Sequence, residues 1–212
     1  CTTMTVSADS LYIRKIVSVV YDDSGSMFGD KWAYANYAMQ TFCGMLNSED
    51  QLYITYMRDS KQNGFVPQKV DLSAGGIQAS VDSIRNHYIS GGTPYSAVEK
   101  AYSYLANVQD SNPNTQYWLV VITDGEFDEG YKTSQLNQFF QGYANSVMPN
   151  GTHPQVTFLS IGKVSKPDAD PNKGIYTYSA SDAKGIIGAM SDMADRISGR
   201  TRLQKGSIRQ LD

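Results

Sequence analysis

The sequence predicts an α/β fold in which helices pack on both faces of a mainly parallel sheet. Short apolar runs alternate along the chain with segments whose apolar residues recur every three or four positions, as strands alternate with amphipathic helices. Residues 14–21 and 116–123 are strongly apolar runs and are typical of buried central strands. A chain of 212 residues with 41% hydrophobic residues suits one sizeable core and a single domain.

Local patterns predict the individual elements. The side chains of residues 51–58 alternate with a period of two, which predicts a second strand. A turn at residues 61–64 is expected to lead into a weaker strand at residues 66–72. The predicted strands are 14–21, 51–58, 66–72, 116–123, 155–162 and 174–179. The predicted helices are 31–47, 75–87, 95–108, 133–147 and 181–197.

The first predicted helix carries an apolar stripe that should face the sheet. The stripe consists of Trp32, Ala35, Met39, Phe42, Cys43 and Leu46. Its position predicts that Cys43 is a small buried hydrophobic residue. The only other cysteine is Cys1. A Cys1–Cys43 disulfide is possible but not favoured, and a lipid anchor at Cys1 is a further possibility.

The loop after the first strand has the spacing of a cation site. Its sequence Asp22-Asp23-Ser24-Gly25-Ser26-Met27 follows the pattern Asp-x-Ser-x-Ser, so one carboxylate and two hydroxyls at alternate positions can converge on a common point. Hard oxygen ligands of this kind suit Mg²⁺, with Mn²⁺ or Ca²⁺ also acceptable, rather than zinc or copper. A metal ion held there with one formal negative charge would keep much of its own charge and could bind an acid from outside.

Two further segments extend this pattern into a resemblance to the von Willebrand factor type A (vWA) family. They are Gly91-Gly92-Thr93-Pro94 and, after the apolar run at 116–123, Thr123-Asp124-Gly125-Glu126. The resemblance covers residues 14–197. It implies a doubly wound, Rossmann-like sheet of six strands with one antiparallel edge strand. It leaves residues 1–13 as an N-terminal extension and residues 198–212 as a basic tail or linker.

The resemblance also implies a metal-ion-dependent adhesion site (MIDAS). Carried over by position, its ligands would be Asp22, Ser24 and Ser26 from the first loop, Thr93 from the second and Asp124 from the third. In the family the two serines bind the metal directly, the two aspartates act partly through water, and the threonine enters or leaves with the ligand state. The open coordination position accepts an Asp or Glu from a partner protein. The implied function is therefore a metal-dependent protein-binding module without a chemical step.

Residues near these loops are candidates for the rim of the site. Phe28 and Tyr95 could offer apolar surface to a partner, and Glu126 and Asp128 could tune the local charge. Trp32 is predicted to pack in the core instead. Two glycines, Gly91 and Gly92, should let the second loop approach its neighbours closely because they have no Cβ.

An enzyme is disfavoured by what the sequence lacks. The only histidines, His87 and His153, lie in no catalytic motif and are predicted to be surface residues. The loop at Asp22 does not match the D-x-D-x-T pattern of aspartyl phosphohydrolases, and no Walker loop or G-x-G-x-x-G motif is present. A metal-dependent hydrolase remains the least favoured alternative.

The composition of the chain argues against some classes of binding partner and favours one cellular location. A net charge of -3 gives no broad basic surface for nucleic acid. No apolar stretch approaches the roughly 18 residues that a membrane-spanning helix needs. Few Lys and Glu with many Tyr, Asn, Ser and Gly favour an extracellular or cell-surface protein of bacterial type. The alternative is a cytoplasmic vWA subunit that couples an AAA+ ATPase to a partner or to metal insertion.

Overall fold

The computed structural model describes residues 12–162 and 164–198, which form one mixed sheet with helices on both sides. The strands are β1 (Lys15–Tyr21), β2 (Gln51–Tyr56), β3 (Gln68–Lys69), β4 (Gln116–Thr123), β5 (Gln155–Ile161) and β6 (Ile175–Ala180). The helices are α1 (Asp30–Met45), α2 (Ile77–Arg85), α3 (Ser96–Asn107), α4 (Thr133–Asn145) and α5 (Ala183–Ser198). Every predicted strand and helix is present, with ends that shift by a few residues.

The sheet has six strands in the order β3-β2-β1-β4-β5-β6. All neighbouring pairs are parallel except β2 and β3, which are antiparallel. The predicted doubly wound α/β fold with one antiparallel edge strand is therefore confirmed. The edge strand β3 has two residues instead of the seven predicted at 66–72. Pro67 lies immediately before it, and proline has no N–H to donate to a strand ladder.

Side chains on β1 alternate between two hydrophobic cores. Val17, Val19 and Tyr21 belong to a core that also contains buried residues of α1, α2 and α5. Ile16 and Val20 point to the opposite core, which is closed by α3 and α4. Because strand side chains alternate with a period of two, a parallel strand buried on both faces is expected to be mainly apolar, as β1 is from Ile16 to Tyr21 apart from Ser18. The buried Ser18 hydroxyl donates to the Ala101 carbonyl at 3.1 Å.

The three loops that contain Asp22, Thr93 and Asp124 meet at the carboxyl edge of the sheet. The register pairs Tyr21 with Ile122, and the Asp22 amide donates to the Ile122 carbonyl at 3.0 Å, so β1 and β4 end at the same level. The chain passes from β1 to β2 on one side and returns to β4 on the other. Such a switch in strand order leaves a crevice beyond the strand ends, where ligands bind in open α/β sheets.

The segment between α2 and α3 crosses this same edge. Helix α2 packs with α1 on one face, whereas α3 packs against β1 and β4 on the other. The connection at residues 86–95 must therefore pass over an edge of the sheet. The Ser90 amide donates to the Asp23 carbonyl at 2.8 Å, which locates the crossing at the carboxyl edge.

Trp32 and Cys43, both predicted to be buried, lie in the core. Trp32 is 8% exposed and packs in the core, as predicted. Cys43 is buried and carries a free thiol. Cys1, with its possible disulfide and lipid anchor, lies outside the described residues, as do most of the extension at 1–13 and nearly all of the tail at 198–212. Within the described part, no helix has the length and apolarity needed to cross a membrane.

Candidate functional site

Asp22 joins the end of β1 to the end of β4. Its side chain is fully buried and both carboxylate oxygens accept hydrogen bonds. Oδ1 accepts from the Ser24 amide at 2.9 Å, while Oδ2 accepts from the Thr123 hydroxyl at 2.8 Å and from the Asp124 amide at 3.2 Å. Burial raises the pKa of Asp22 to about 6, hydrogen bonds from Ser24 and Thr123 oppose that rise, and the Asp124 charge adds to it.

Three oxygens of the first and third loops form a continuous chain. A short 3₁₀ turn, Gly25–Met27, folds Ser26 back towards Ser24, and the buried Met27 side chain anchors the turn in the core. The two serine hydroxyls share a hydrogen bond of 3.1 Å. The Ser26 hydroxyl in turn donates to Asp124 Oδ1 at 3.0 Å. Two loops that are about a hundred residues apart in sequence are thereby brought into direct contact.

This oxygen set fits a small hard cation. In an octahedron with metal–oxygen bonds of about 2.0–2.1 Å, adjacent ligands are about 2.9 Å apart. The separations of 3.1 Å between the two serines and 3.0 Å between Ser26 and Asp124 are close to that value. No group of three or more His, Cys, Asp or Glu side chains in the described residues could hold a metal. A metal at this edge would therefore depend on the hydroxyls as well as on the two carboxylates.

Thr93 is hydrogen-bonded to Glu126 and Asp128, and not to the other predicted ligands. Its hydroxyl contacts the Glu126 carbonyl at 2.7 Å and Asp128 Oδ1 at 3.2 Å, and its amide donates to the same Asp128 oxygen at 3.0 Å. The structure thus brings Asp22, Ser24, Ser26 and Asp124 together, whereas Thr93 is attached to the remainder of the third loop.

Two glycines allow the second loop to come this close. Gly91 has a φ of +93°, a conformation that glycine adopts without strain, and its carbonyl accepts from the Gly25 amide at 3.2 Å. A Cβ added to Gly92 would lie 2.8 Å from Asp128 Oδ2. The predicted close approach of the Gly91-Gly92 backbone is confirmed.

The predicted rim residues have different fates. Phe28 is 84% exposed beside the serine loop, as expected. The prediction that Tyr95 lies on the rim is wrong, because it is 2% exposed. Its ring packs edge-on against Phe127 at 5.1 Å, and its hydroxyl shares a hydrogen bond of 2.7 Å with that of Tyr143. The start of α3 points this side chain into the core below the site.

The acidic residues of the third loop make hydrogen bonds to neighbouring loops. Glu126 Oε1 accepts from the amide and the hydroxyl of Ser165 at 2.8 and 3.1 Å, and so connects the third loop to the segment between β5 and β6. Asp128 holds Thr93 as described above. Both residues are exposed, so their carboxylates also contribute charge at the surface.

Lys31 is a site residue that sequence reasoning missed. Its ammonium group donates to Asp124 Oδ2 at 2.9 Å, and the Lys31 side chain is 45% exposed while that of Asp124 is fully buried. One signal was available in the sequence, because Lys31 lies in the first turn of α1. A positive charge there is disfavoured by the helix dipole, so another interaction is expected to hold it.

The prediction that His87 is a surface residue is wrong. Its side chain is 15% exposed, its Nε2 lies 2.8 Å from Asp23 Oδ2, and its ring stacks on Tyr56 with centroids 3.5 Å apart. The other Asp23 oxygen accepts from the Arg58 amide at 3.0 Å. The Asp23 carboxylate therefore faces away from the serine hydroxyls, as its place in the motif predicts. His153 is exposed as predicted.

Comparisons with known proteins yield matches to solved structures only. No protein-family model and no curated protein sequence matches this chain. A von Willebrand factor type A protein from Catenulispora acidiphila matches 86% of the chain with a TM-score of 0.56 and 15% identity. Proximal thread matrix protein 1 from the mussel byssus, with a zinc-occupied MIDAS motif, matches 88% with a TM-score of 0.54 and 11% identity. The pilus adhesin SpaC from Lactobacillus rhamnosus GG, in its open conformation, matches 88% with a TM-score of 0.55 and 13% identity.

The chain spans less than half of each of these proteins, namely 42%, 46% and 30% of their lengths. At such low identities the likeness concerns the fold and not the activity. The sheet order, the helices on both faces and the structural matches agree, and this chain has the fold of a vWA domain.

Proposed function

We propose that this domain is a metal-dependent protein-binding module of the adhesion type. A divalent cation, Mg²⁺ in the first place, would be held by Ser24, Ser26 and Asp124, with Asp22 orienting the loop. Thr93 would join them after release from Asp128. The observation that carries this proposal is the continuous chain of oxygens from Ser24 through Ser26 to Asp124, with separations of 3.1 and 3.0 Å at the crevice of the sheet.

The local charge favours an acidic ligand from a partner. The carboxylates of Asp22 and Asp124 would balance a divalent ion, and the Lys31 ammonium 2.9 Å from Asp124 adds one positive charge. The metal ion with these three side chains would therefore carry a net positive charge that attracts a partner's Asp or Glu, whereas the exposed carboxylates of Glu126 and Asp128 would oppose that attraction from the rim. The exposed Phe28 ring lies beside the serine loop and would give such a partner an apolar contact.

Adhesion outside the cell is the setting we propose for this module. Structures with the same fold include the pilus adhesin SpaC, the minor pilin PilB from Streptococcus sanguinis and the mussel byssus protein. These proteins are named for adhesion or structural roles, which supports a binding module rather than an enzyme. The zinc-occupied MIDAS motif of the byssus protein supports metal binding in general. Zinc is therefore one of the ions to test, together with Mg²⁺, Mn²⁺ and Ca²⁺.

Calorimetric titration with each ion tests the proposal. We expect about one equivalent of Mg²⁺ or Mn²⁺ to bind the wild-type protein and no binding to a Ser24→Ala/Ser26→Ala variant. The matched control is Ser103→Ala/Ser134→Ala, which removes two exposed hydroxyls on α3 and α4. Absence of binding to the wild type at millimolar metal, or equal binding to the Ser24→Ala/Ser26→Ala variant, would contradict the proposed site.

A further inference from the structure

The ion pair between Lys31 and Asp124 places a positive charge of the chain itself at the candidate metal site. Asp124 has two oxygens, of which Oδ1 accepts from Ser26 and Oδ2 accepts from Lys31. The Asp124 side chain is fully buried, so its charge needs a compensating partner. Lys31 supplies that partner while about half of its own side chain remains in solvent.

The position of Lys31 indicates that this pairing is its main electrostatic interaction. It is the second residue of α1, where the unpaired backbone N–H groups of the helix carry partial positive charge. Asp30 beside it is the acidic residue of that first turn and is the type that the helix dipole favours. Lysine gains nothing from the dipole there, and the described contact that compensates it is the one to Asp124.

We propose that Lys31 is a tethered cation that competes with the divalent metal for Asp124 and so sets the metal affinity of the site. This inference rests on the proposed function. A metal ion bound to Asp124 would face the ammonium group at short range. If Lys31 stays, the two cations repel each other; if it leaves, the ion pair is lost. Both routes weaken metal binding.

The test is the metal affinity of a Lys31→Met variant, which keeps most of the aliphatic stem and removes the charge. We expect Mg²⁺ and Mn²⁺ to bind about tenfold more tightly than to wild type, because a partly exposed charge near the metal is removed. Lys31→Arg retains the charge and should bind like wild type. Lys173→Met is the matched control, since Lys173 is exposed and lies before β6 at the opposite edge of the sheet.

Thermal unfolding supplies a second readout that does not require bound metal. In EDTA, Lys31→Met should be less stable than wild type because the buried Asp124 carboxylate loses its partner. Saturating Mg²⁺ should then stabilise Lys31→Met more than it stabilises wild type, as tighter binding to the folded state requires. A purely structural ion pair would lower the stability in EDTA without changing the metal affinity.

The outcomes separate this inference from the proposed function. Tighter metal binding by Lys31→Met than by wild type, Lys31→Arg and Lys173→Met supports it. Equal affinities of wild type and Lys31→Met overturn the role of Lys31 and leave the proposed metal site intact. No binding by either protein at millimolar Mg²⁺ and Mn²⁺ overturns both.

Discussion

Replacing His87 with alanine should destabilise the fold although this histidine lies in a loop. The side chain joins the segment after α2 to the loop after β1 through its contact with Asp23, whose carboxylate is fully buried. With His87 removed, Asp23 Oδ2 loses the hydrogen bond of 2.8 Å while Oδ1 keeps the one from the Arg58 amide. The variant therefore leaves half of a buried carboxylate without its protein partner.

The magnitude follows from two contacts. A hydrogen bond to a charged group contributes about 1.5–3 kcal/mol, and an aromatic pair contributes about 0.5–1.5 kcal/mol beyond its buried area. The ring of His87 stacks on Tyr56 at a centroid distance of 3.5 Å with an angle of 6° between planes. We expect His87→Ala to lower the free energy of unfolding by about 2–4.5 kcal/mol.

Urea unfolding followed by circular dichroism measures this change, provided that the slope with denaturant is unchanged. The matched control is His153→Ala, because His153 is exposed in a loop and should cost less than about 0.5 kcal/mol. A loss for His87→Ala below about 1 kcal/mol, or one no larger than that of His153→Ala, would refute the reasoning that the Asp23–His87 contact holds the loop.

Three further predictions concern a thiol, a pH dependence and a close contact. Burial raises the pKa of Cys43 to about 11, so we expect this thiol to resist a soluble alkylating reagent at pH 8 until urea exposes it. Peptide mass spectrometry measures the labelling, and rapid labelling of the native protein would contradict the prediction. Because the pKa of Asp22 is raised to about 6, protonation below that pH removes the negative charge that Asp22 would contribute beside the metal, and Mg²⁺ affinity measured by calorimetry should fall about tenfold from pH 7 to pH 5. A flat profile would contradict a role for the Asp22 charge. Gly92→Ala would place a Cβ 2.8 Å from Asp128 Oδ2 and should lower stability by about 1 kcal/mol. Gly142→Ala, at an exposed position in the last turn of α4 with no atom within 4 Å of the added Cβ, should raise it. Similar effects of the two substitutions on urea unfolding would argue against the contact.

Much of the fold could be predicted because its signals are local. The buried strand 116–123 was predicted to the residue, since its apolar run is bounded by polar residues on both sides. The edge strand was predicted too long, because only Gln68 and Lys69 form the strand that pairs with β2 and Pro67 before them has no N–H to donate to the ladder. The observed helix ends differ from the predicted ones by one or two residues, because the end of a helix depends on how the flanking chain caps it.

The candidate site was predictable only in part. The Asp-x-Ser-x-Ser loop and the segments containing Thr93 and Asp124 carry their pattern in the sequence. The hydrogen-bond and ion-pair partners of these residues leave no such pattern in the sequence. Tyr95 resembles a rim residue by its place next to Pro94, yet the direction of α3 places it in the core.

The sequence by itself determined the alternation of strands and helices, the α/β fold class and the three polar segments that contain Asp22, Thr93 and Asp124, because hydrophobic periodicity and turn residues act over a few neighbouring positions. The tertiary structure alone decided that Lys31 pairs with Asp124, that His87 lies against Asp23, and that Thr93 is held by the third loop. These contacts join residues between 33 and 93 positions apart. They depend on the strand order and on the loop that crosses the sheet edge, which no local pattern specifies.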